Sequence, residues 1–536
     1  MRVPFDSCLK PLEAFCNRMD DKYILAVILV LSAALRAARA ALSGIVNADA
    51  VVYIYQAKAL YYGMWSSVNT CTIKHVTLHP IATAFVYTVT GDWVLSARTV
   101  SILLGTLTIM PIYLLARLFL GKQTGVMVAL LYAVMHVFVS VSVDVGRDPA
   151  YWFFAAWGFY FFSASWKREQ FWYLPLASIA FSLATWNRIE GALFLVTTAF
   201  YLLLKKTDGK GRKLFLFFVP IMFGFGVLIG IQLFGTDGIY WYRLNAIPER
   251  LTTALATYKD LRAHLAFMIQ NPPDGFTFQF FENVRTLLWW LSLGVVLENA
   301  AEAYFYPFFV LFLAGLFDFK KWRSVSLAGY FALQVVCGFV LLYVYTFNSW
   351  SMENRYLALV ILPSVLFLGL GLERILTLIN RRWNVNEFSA RVLVVLLILL
   401  LALPKQLHPH EQDKKVFKNI GLCIATDSGS SVPIEILVIG SSMPWVFLYS
   451  QLAVPSAICH EKNHPNGIVL ASLIGNRYSD LLENVDKHSI RYIVWGEKHW
   501  PSSDYDLLAE YNPRDFMIIG EWAHKDTGRI VLFRRL

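Results

Sequence analysis

The sequence predicts a polytopic α-helical membrane protein of about eleven transmembrane helices with a C-terminal soluble α/β domain. Three observations predict it. The 536 residues are 57% hydrophobic and only 16% charged, and their mean hydropathy is +0.51. A soluble chain with so few charges could not cover its surface. Apolar runs recur as far as residue 403, and Lys and Arg gather between them. That clustering is the positive-inside pattern, so the net charge of +10 reports orientation in a membrane and excludes nucleic acid as a partner.

Residues 1–22 form a polar N-terminal segment. The run at 23–46 has no small-residue cleavage site and reads as an uncleaved first span. Arg36 and Arg39 lie three apart on one face of it. They either snorkel to the outer headgroups or present a cationic face to an anionic lipid. A short loop follows, Asn47-Ala48-Asp49-Ala50-Val51-Val52-Tyr53. A carboxylate at this depth is costly without a task or a partner. Asp49 is either the N-cap of the helical pattern at 50–62 or a catalytic base.

Further spans are predicted at 94–120, 125–143, 151–166, 171–186, 192–204, 214–234, 304–317, 325–347, 356–379 and 392–403. The segment 235–303 carries Pro248, Pro272 and Pro273. Its apolar patch at 287–297 is short for a crossing and predicts a re-entrant or interfacial helix. From residue 405 the character changes. Strand-like runs at 434–439, 492–495, 516–519 and 530–533 alternate with helical or polar stretches at 478–487 and 504–510. That alternation predicts the α/β domain, which is long enough to bury a core of its own.

The basic runs 205–213, 320–323 and 381–391 are separated by even numbers of spans. One topology therefore puts all three in the cytoplasm together with the N-terminus. The transmembrane domain is 23–404, its outward loops are 46–93, 144–149 and 235–303, and domain 405–536 is extracytoplasmic. The six cysteines include no CxxC pair. Cys423 and Cys459 are either a disulfide of an oxidising compartment or two thiols.

The outward loops collect acids (Asp49, Asp144, Asp148, Glu190) and cations (His79, Arg147, Arg188, Arg355) at one membrane face. Glycosyl transfer from a phosphate-linked sugar needs both. A carboxylate takes the acceptor's proton, and cations stabilise the departing phosphate. Tyr53, Tyr55, Trp65 and Trp93 offer surfaces for sugars. Each residue also has a plainer reading: a headgroup anchor for the arginines, an N-cap and first-turn proline for Asp148-Pro149, a turn for His79-Pro80.

The chain resembles the membrane glycosyltransferases of the GT-C class, and among them the group of dolichyl-phosphate-mannose protein mannosyltransferases and the lipid A aminoarabinose transferase. Seven features carry the resemblance in order: Arg36 late in the first span; Asp49 and Tyr53 with a helix ending at Gly63; His79-Pro80; Gly91-Asp92 with Arg98 and Gly105; Asp148 with Phe153 and Phe154; Arg188, Glu190 and Gly191; and Arg355-Tyr356. They cover residues 22–370. The resemblance implies a polyprenyl-phosphate monosaccharide as donor, a lipid, glycan or protein as acceptor, and inversion at the anomeric carbon. It implies Asp49 as base and Asp148 as second acid. It places His79 near the donor phosphate, with Arg355 a further phosphate candidate. Tyr53, Arg147, Arg188, Glu190 and Tyr356 would bind substrate, and Arg36 and Arg39 the lipid phosphate. Two departures stand out: Ala50 follows Asp49 where the group often has Glu, and Ile81 replaces a second proline. The first weakens a two-carboxylate metal site, so no cofactor is expected, although the metal question stays open. The rival expectations are a lipid-linked sugar flippase and a nonenzymatic subunit of an envelope assembly complex. No glycosylation sequon in the first outward loops and no ER-retention tail point to a bacterial inner membrane.

Overall fold

The predicted spans fall on helical segments of the computed structural model, those at 94–120, 125–143 and 356–379 each on more than one helix. The structure describes all residues except 1–10, 12, 13, 15–17, 72, 74, 207, 235–240, 273, 274, 430, 440–442, 458–472, 502 and 503. Among the described residues, five helical stretches are long and apolar enough to cross a membrane: Asp21–Leu42, Trp93–Val134, Thr277–Tyr304, Ala328–Ser349 and Glu387–Leu407. A sixth candidate is the pair Asn354–Ile361 and Val365–Trp383, bent by 78° at a short break. The chain is a multi-pass membrane protein.

The largest difference from expectation is at 235–303. That segment contains two helices of 30 residues each, Trp241–Gln270 and Gly275–Tyr304. The patch at 287–297 lies inside the second. Polar residues on either side hid the continuity of that helix: its apolar exterior, including Trp289, Trp290 and Leu297, is interrupted by Glu282, Arg285 and Glu298.

The packing divides the chain into two units. One comprises Met1–Ala37, Ile102–Ser142 and Arg147–Gln406. Its core is aromatic and aliphatic, with Trp152, Phe159, Phe162, Tyr330 and Phe367 fully buried. Two of its helices, Tyr306–Leu316 and Val365–Trp383, approach backbone to backbone. A Cβ on Gly315 would overlap the Phe367 carbonyl oxygen, and one on Gly371 the Leu311 carbonyl oxygen. A buried hydrogen-bonded group ties two other helices: Thr197 donates to Gln334 at 2.6 Å, Gln334 to Thr198 at 3.2 Å, and Thr198 pairs with the Tyr330 hydroxyl at 2.8 Å.

The other unit comprises Ala38–Ser101, Val143–Gly146 and Leu407–Leu536. The first outward loop therefore packs with the C-terminal residues Leu407–Leu536. One core joins Ile45, Val51 and Ile54 to Phe417, Ile420, Trp445 and Tyr492. All four expected strands form: β1 (Glu435–Val438), β2 (Ile490–Gly496), β3 (Phe516–His524) and β4 (Gly528–Arg535). The sheet order is β1-β2-β4-β3, with β1 parallel to β2 and the other pairs antiparallel. The central strand β2 is buried at every position but Arg491, as a strand covered on both faces must be.

Cys423 is a free thiol, half-buried on the helix Lys415–Ser428. The bridge to Cys459 is thus corrected; Cys459 itself lies outside the described residues. Cys71 is disulfide-bonded.

Candidate functional site

In the unit that holds the first loop, Asn47 and not Asp49 caps the helix Ala48–Tyr61. Asn47 has extended backbone, and its side-chain oxygen accepts from the Ala50 N–H at 2.7 Å. Asp49 falls in the first turn, half-buried, where the positive end of the helix favours a carboxylate. The rest of the helix is buried almost all round, Tyr53, Ile54, Gln56 and Lys58 included. The Trp445 indole N–H donates to the Val46 carbonyl at 2.7 Å and braces the approach to this turn.

His79 sits in the first turn of the helix Leu78–Thr90 and is fully buried. Its Nε2 lies 3.1 Å from the Ala97 carbonyl and 3.0 Å from the Ser101 hydroxyl. A carbonyl only accepts, so we assign the proton to Nε2. Ser101 in turn accepts from the Gly146 N–H at 3.3 Å. The Tyr53 ring packs edge-on against His79 at 5.8 Å. Tyr53 and His79 are therefore brought together, as one buried wedge. Arg98 donates to the Ala40 carbonyl at 3.3 Å and the Ile45 carbonyl at 3.0 Å. Arg39 is buried in the same unit, and Asp144 is the acidic neighbour of both arginines.

Of the aromatics expected to carry sugars, Tyr53 and Tyr55 are buried, and Trp93 is covered by Tyr87, stacked at 3.6 Å. Trp65 keeps its surface open, at 65% exposure.

The other unit gathers a second group. Asp148 opens the helix Asp148–Lys167 and is buried. Arg188 donates to the Asp148 carboxylate, and its Nε lies 3.3 Å from Glu190. Its guanidinium stacks over the Tyr356 ring, 4.5 Å from the centroid. Burial works against the Arg188 cation, but Asp148 and Glu190 outweigh it and hold its pKa well above the ordinary value. The Tyr356 hydroxyl accepts from Tyr345 at 3.2 Å, and Arg355 pairs with Glu353 at 2.6 Å. Asp148, Arg188, Glu190, Arg355 and Tyr356 thus meet, although 208 positions of sequence separate the first from the last. Arg147 precedes them as the half-buried N-cap residue of the Asp148 helix. One turn on, the Tyr151 hydroxyl is buried without a hydrogen-bond partner among the described residues.

Arg36 belongs to the same unit as this second group. It donates to the Ser32 and Ala133 carbonyls at 3.2 Å each and to the Phe138 carbonyl at 3.3 Å. Those last two carbonyls lie on either side of the break at Met135 between the helices Ile109–Val134 and His136–Val143. Within this unit Arg36 ties together the two helices that meet at the break.

Sequence reasoning missed Lys58. It is fully buried, and its amine donates to the carbonyls of Gln451 at 3.1 Å and Val454 at 2.7 Å. Burial pulls its pKa down to about 8. Its one sequence signal is a cation amid small apolar residues, Ala57-Lys58-Ala59. Among the described residues no three His, Cys, Asp or Glu side chains stand close enough to hold a metal ion.

Residues 74–234 match the family described as dolichyl-phosphate-mannose-protein mannosyltransferase. No curated protein matches the chain in sequence. Among solved structures, ArnT from Cupriavidus metallidurans bound to undecaprenyl phosphate is 14% identical with a TM-score of 0.56, over 95% of this chain and 97% of that one. The oligosaccharyltransferase of Archaeoglobus fulgidus, tethered to an acceptor peptide, is 13% identical with a TM-score of 0.55, over 89% of this chain and 69% of that one. At such identities the likeness establishes the fold. The resemblance carried by the seven motifs is therefore upheld: the chain has the fold of the GT-C membrane glycosyltransferases and, across residues 74–234, the sequence pattern of their protein mannosyltransferase family.

Proposed function

We propose that this glycosyltransferase moves a monosaccharide from a polyprenyl-phosphate donor to a lipid, glycan or protein acceptor, with Asp49 as the base. The acceptor hydroxyl gives its proton to Asp49, and its oxygen attacks the anomeric carbon. The bond from that carbon to the phosphate oxygen breaks, and polyprenyl phosphate leaves. The observation that supports the Asp49 assignment is its place: Asn47 takes the cap, and Asp49 stands half-buried in the first turn of the outward-loop helix. Asp148 acts in this reading as an anchor: together with Glu190 it holds Arg188 against the Tyr356 ring. His79 and Tyr53 brace the first loop.

The chain crosses the bilayer about eleven times in this reading, with the N-terminus inside. The reaction and the sheet at 435–535 lie outside, in a bacterial inner membrane. The positive-inside pattern supports that orientation, and so does the disulfide at Cys71 in the first outward loop, since disulfides persist in oxidising compartments.

The test is transfer of radiolabelled sugar from polyprenyl-phosphate donors in membranes, comparing wild type with Asp49→Asn. The substitution keeps size and polarity and removes the base. We expect loss of about 10²–10⁴-fold in turnover with unchanged thermal unfolding. Equal turnover in the two forms would move the base elsewhere. Movement of intact donor across the bilayer without release of polyprenyl phosphate would favour a flippase.

A further inference from the structure

One cavity lies among the basic loops and is lined by none of the residues of the proposed reaction. It measures about 680 Å³. It opens where Gly121, at φ 82° and ψ 176°, breaks the helix Ile109–Val134. The turn that restarts this helix, residues 122–124, lines it, so the positive end of a helical segment borders the space. Facing it are Lys321 from the helix Phe319–Ser324, Arg381 from the end of Val365–Trp383 and Arg391 from the start of Glu387–Leu407.

The charges do not balance. Four cations line the cavity, Lys122, Lys321, Arg381 and Arg391, against two acids, Glu373 and Glu387. Lys321 lies 3.5 Å from Glu373, and Arg391 lies 2.5 Å from Glu387. Lys122 pairs at 2.8 Å with Asp21, which Arg117 also contacts. Arg381 makes no hydrogen bond or ion pair among the described residues. The acids are thus engaged, and one planar guanidinium fork is left facing an open, positively biased space. Leu120 and Leu376 add an apolar flank. From the start of Val365–Trp383 to Arg381 the helix rises roughly 25 Å, which sets the cavity toward the opposite end of that helix from Arg355 and Tyr356.

We propose that this cavity binds a ligand with a net negative phosphate group, held by the Arg381 fork, Lys122 and the N–H groups of the restarted helix. That chemistry has two sources. One is the headgroup of an anionic phospholipid, its chains along Leu120 and Leu376; the other is a free phosphate. The inference does not rest on the proposed transfer reaction.

The test is thermal unfolding of the full chain in neutral detergent, with phosphatidylglycerol, phosphatidylcholine, or sodium phosphate against sodium chloride at matched ionic strength. Saturating phosphatidylglycerol should raise the midpoint by about 2–4 °C, phosphatidylcholine should not, and Arg381→Gln should remove most of the rise. An equal rise with sodium phosphate assigns the site to a free phosphate. No rise with either phosphate source overturns the proposal. So does a rise that survives unchanged in both Arg381→Gln and Lys122→Gln, two exposed or half-buried positions whose substitution leaves the core intact.

Discussion

Arg188 holds two carboxylates in a pocket from which water is nearly excluded, its side chain 3% exposed and that of Asp148 4%. Removing one partner of such a pair leaves an uncompensated buried charge, at about 3–5 kcal/mol. Arg188→Leu should therefore lower the unfolding midpoint sharply, and Arg188→Leu with Asp148→Leu should recover part of the loss in the same melts. Lys58 has the opposite logic, because its neighbours are carbonyls. Its pKa is lowered to about 8 from the ordinary 10.5. Above pH 10.5 the amine is neutral in both states and costs nothing. Between 10.5 and 8 only the unfolded chain takes the proton, so stability falls as pH falls. Below 8 both states are protonated, and the loss levels off at about 3 kcal/mol. Thermal melts should rise from pH 8 to 10 in the wild type and stay flat over that range in Lys58→Met. The local signal at Lys58, a cation between small apolar residues, does not name its partners, because the carbonyls that receive it lie 393 and 396 residues away. The start of the first-loop helix is a local fact, but its cap is Asn47, two places before the Asp49 that the sequence offers, since both residue types cap well.

Helices were easy to read where their apolar length exceeded the need of a crossing, and hard where it was divided. Gly275–Tyr304 shows this: only 17% of its most apolar stretch is buried, so its charges can sit on an outer face without ending it. Glycines make the converse point. Gly315 and Gly371 sit in ordinary apolar stretches, and only the crossing of two backbones reveals why no side chain fits there. Gly371→Leu must push the helices Tyr306–Leu316 and Val365–Trp383 apart, and overpacking of this kind costs about 1–3 kcal/mol or more. We expect a lower unfolding midpoint, with Gly371→Ala between the two. The strands were legible because each is a short apolar run bounded by turn residues, and so was the end between two spans at Gly121-Lys122, where Gly121 leaves the helical conformation.

Over the whole molecule, the order of motifs was enough to find the fold, since each motif marks a helix end and the order of ends is the topology. The grouping of those ends was not legible. Asp148, Arg188 and Tyr356 meet, while Arg36, expected among the phosphate ligands, instead bonds the carbonyls around Met135. The same blindness hid the partnership between the first loop and the last third of the chain, and that partnership has a consequence for biogenesis. Lys58 and Val46 meet their partners only after residues 445–454 emerge. At about 5–20 residues per second, the ribosome needs roughly 20–80 s to cover that interval. For that time the nascent first loop waits uncovered beside the translocon, its lysine wet and its apolar helix unshielded, so the last domain made is the one that closes the first loop made.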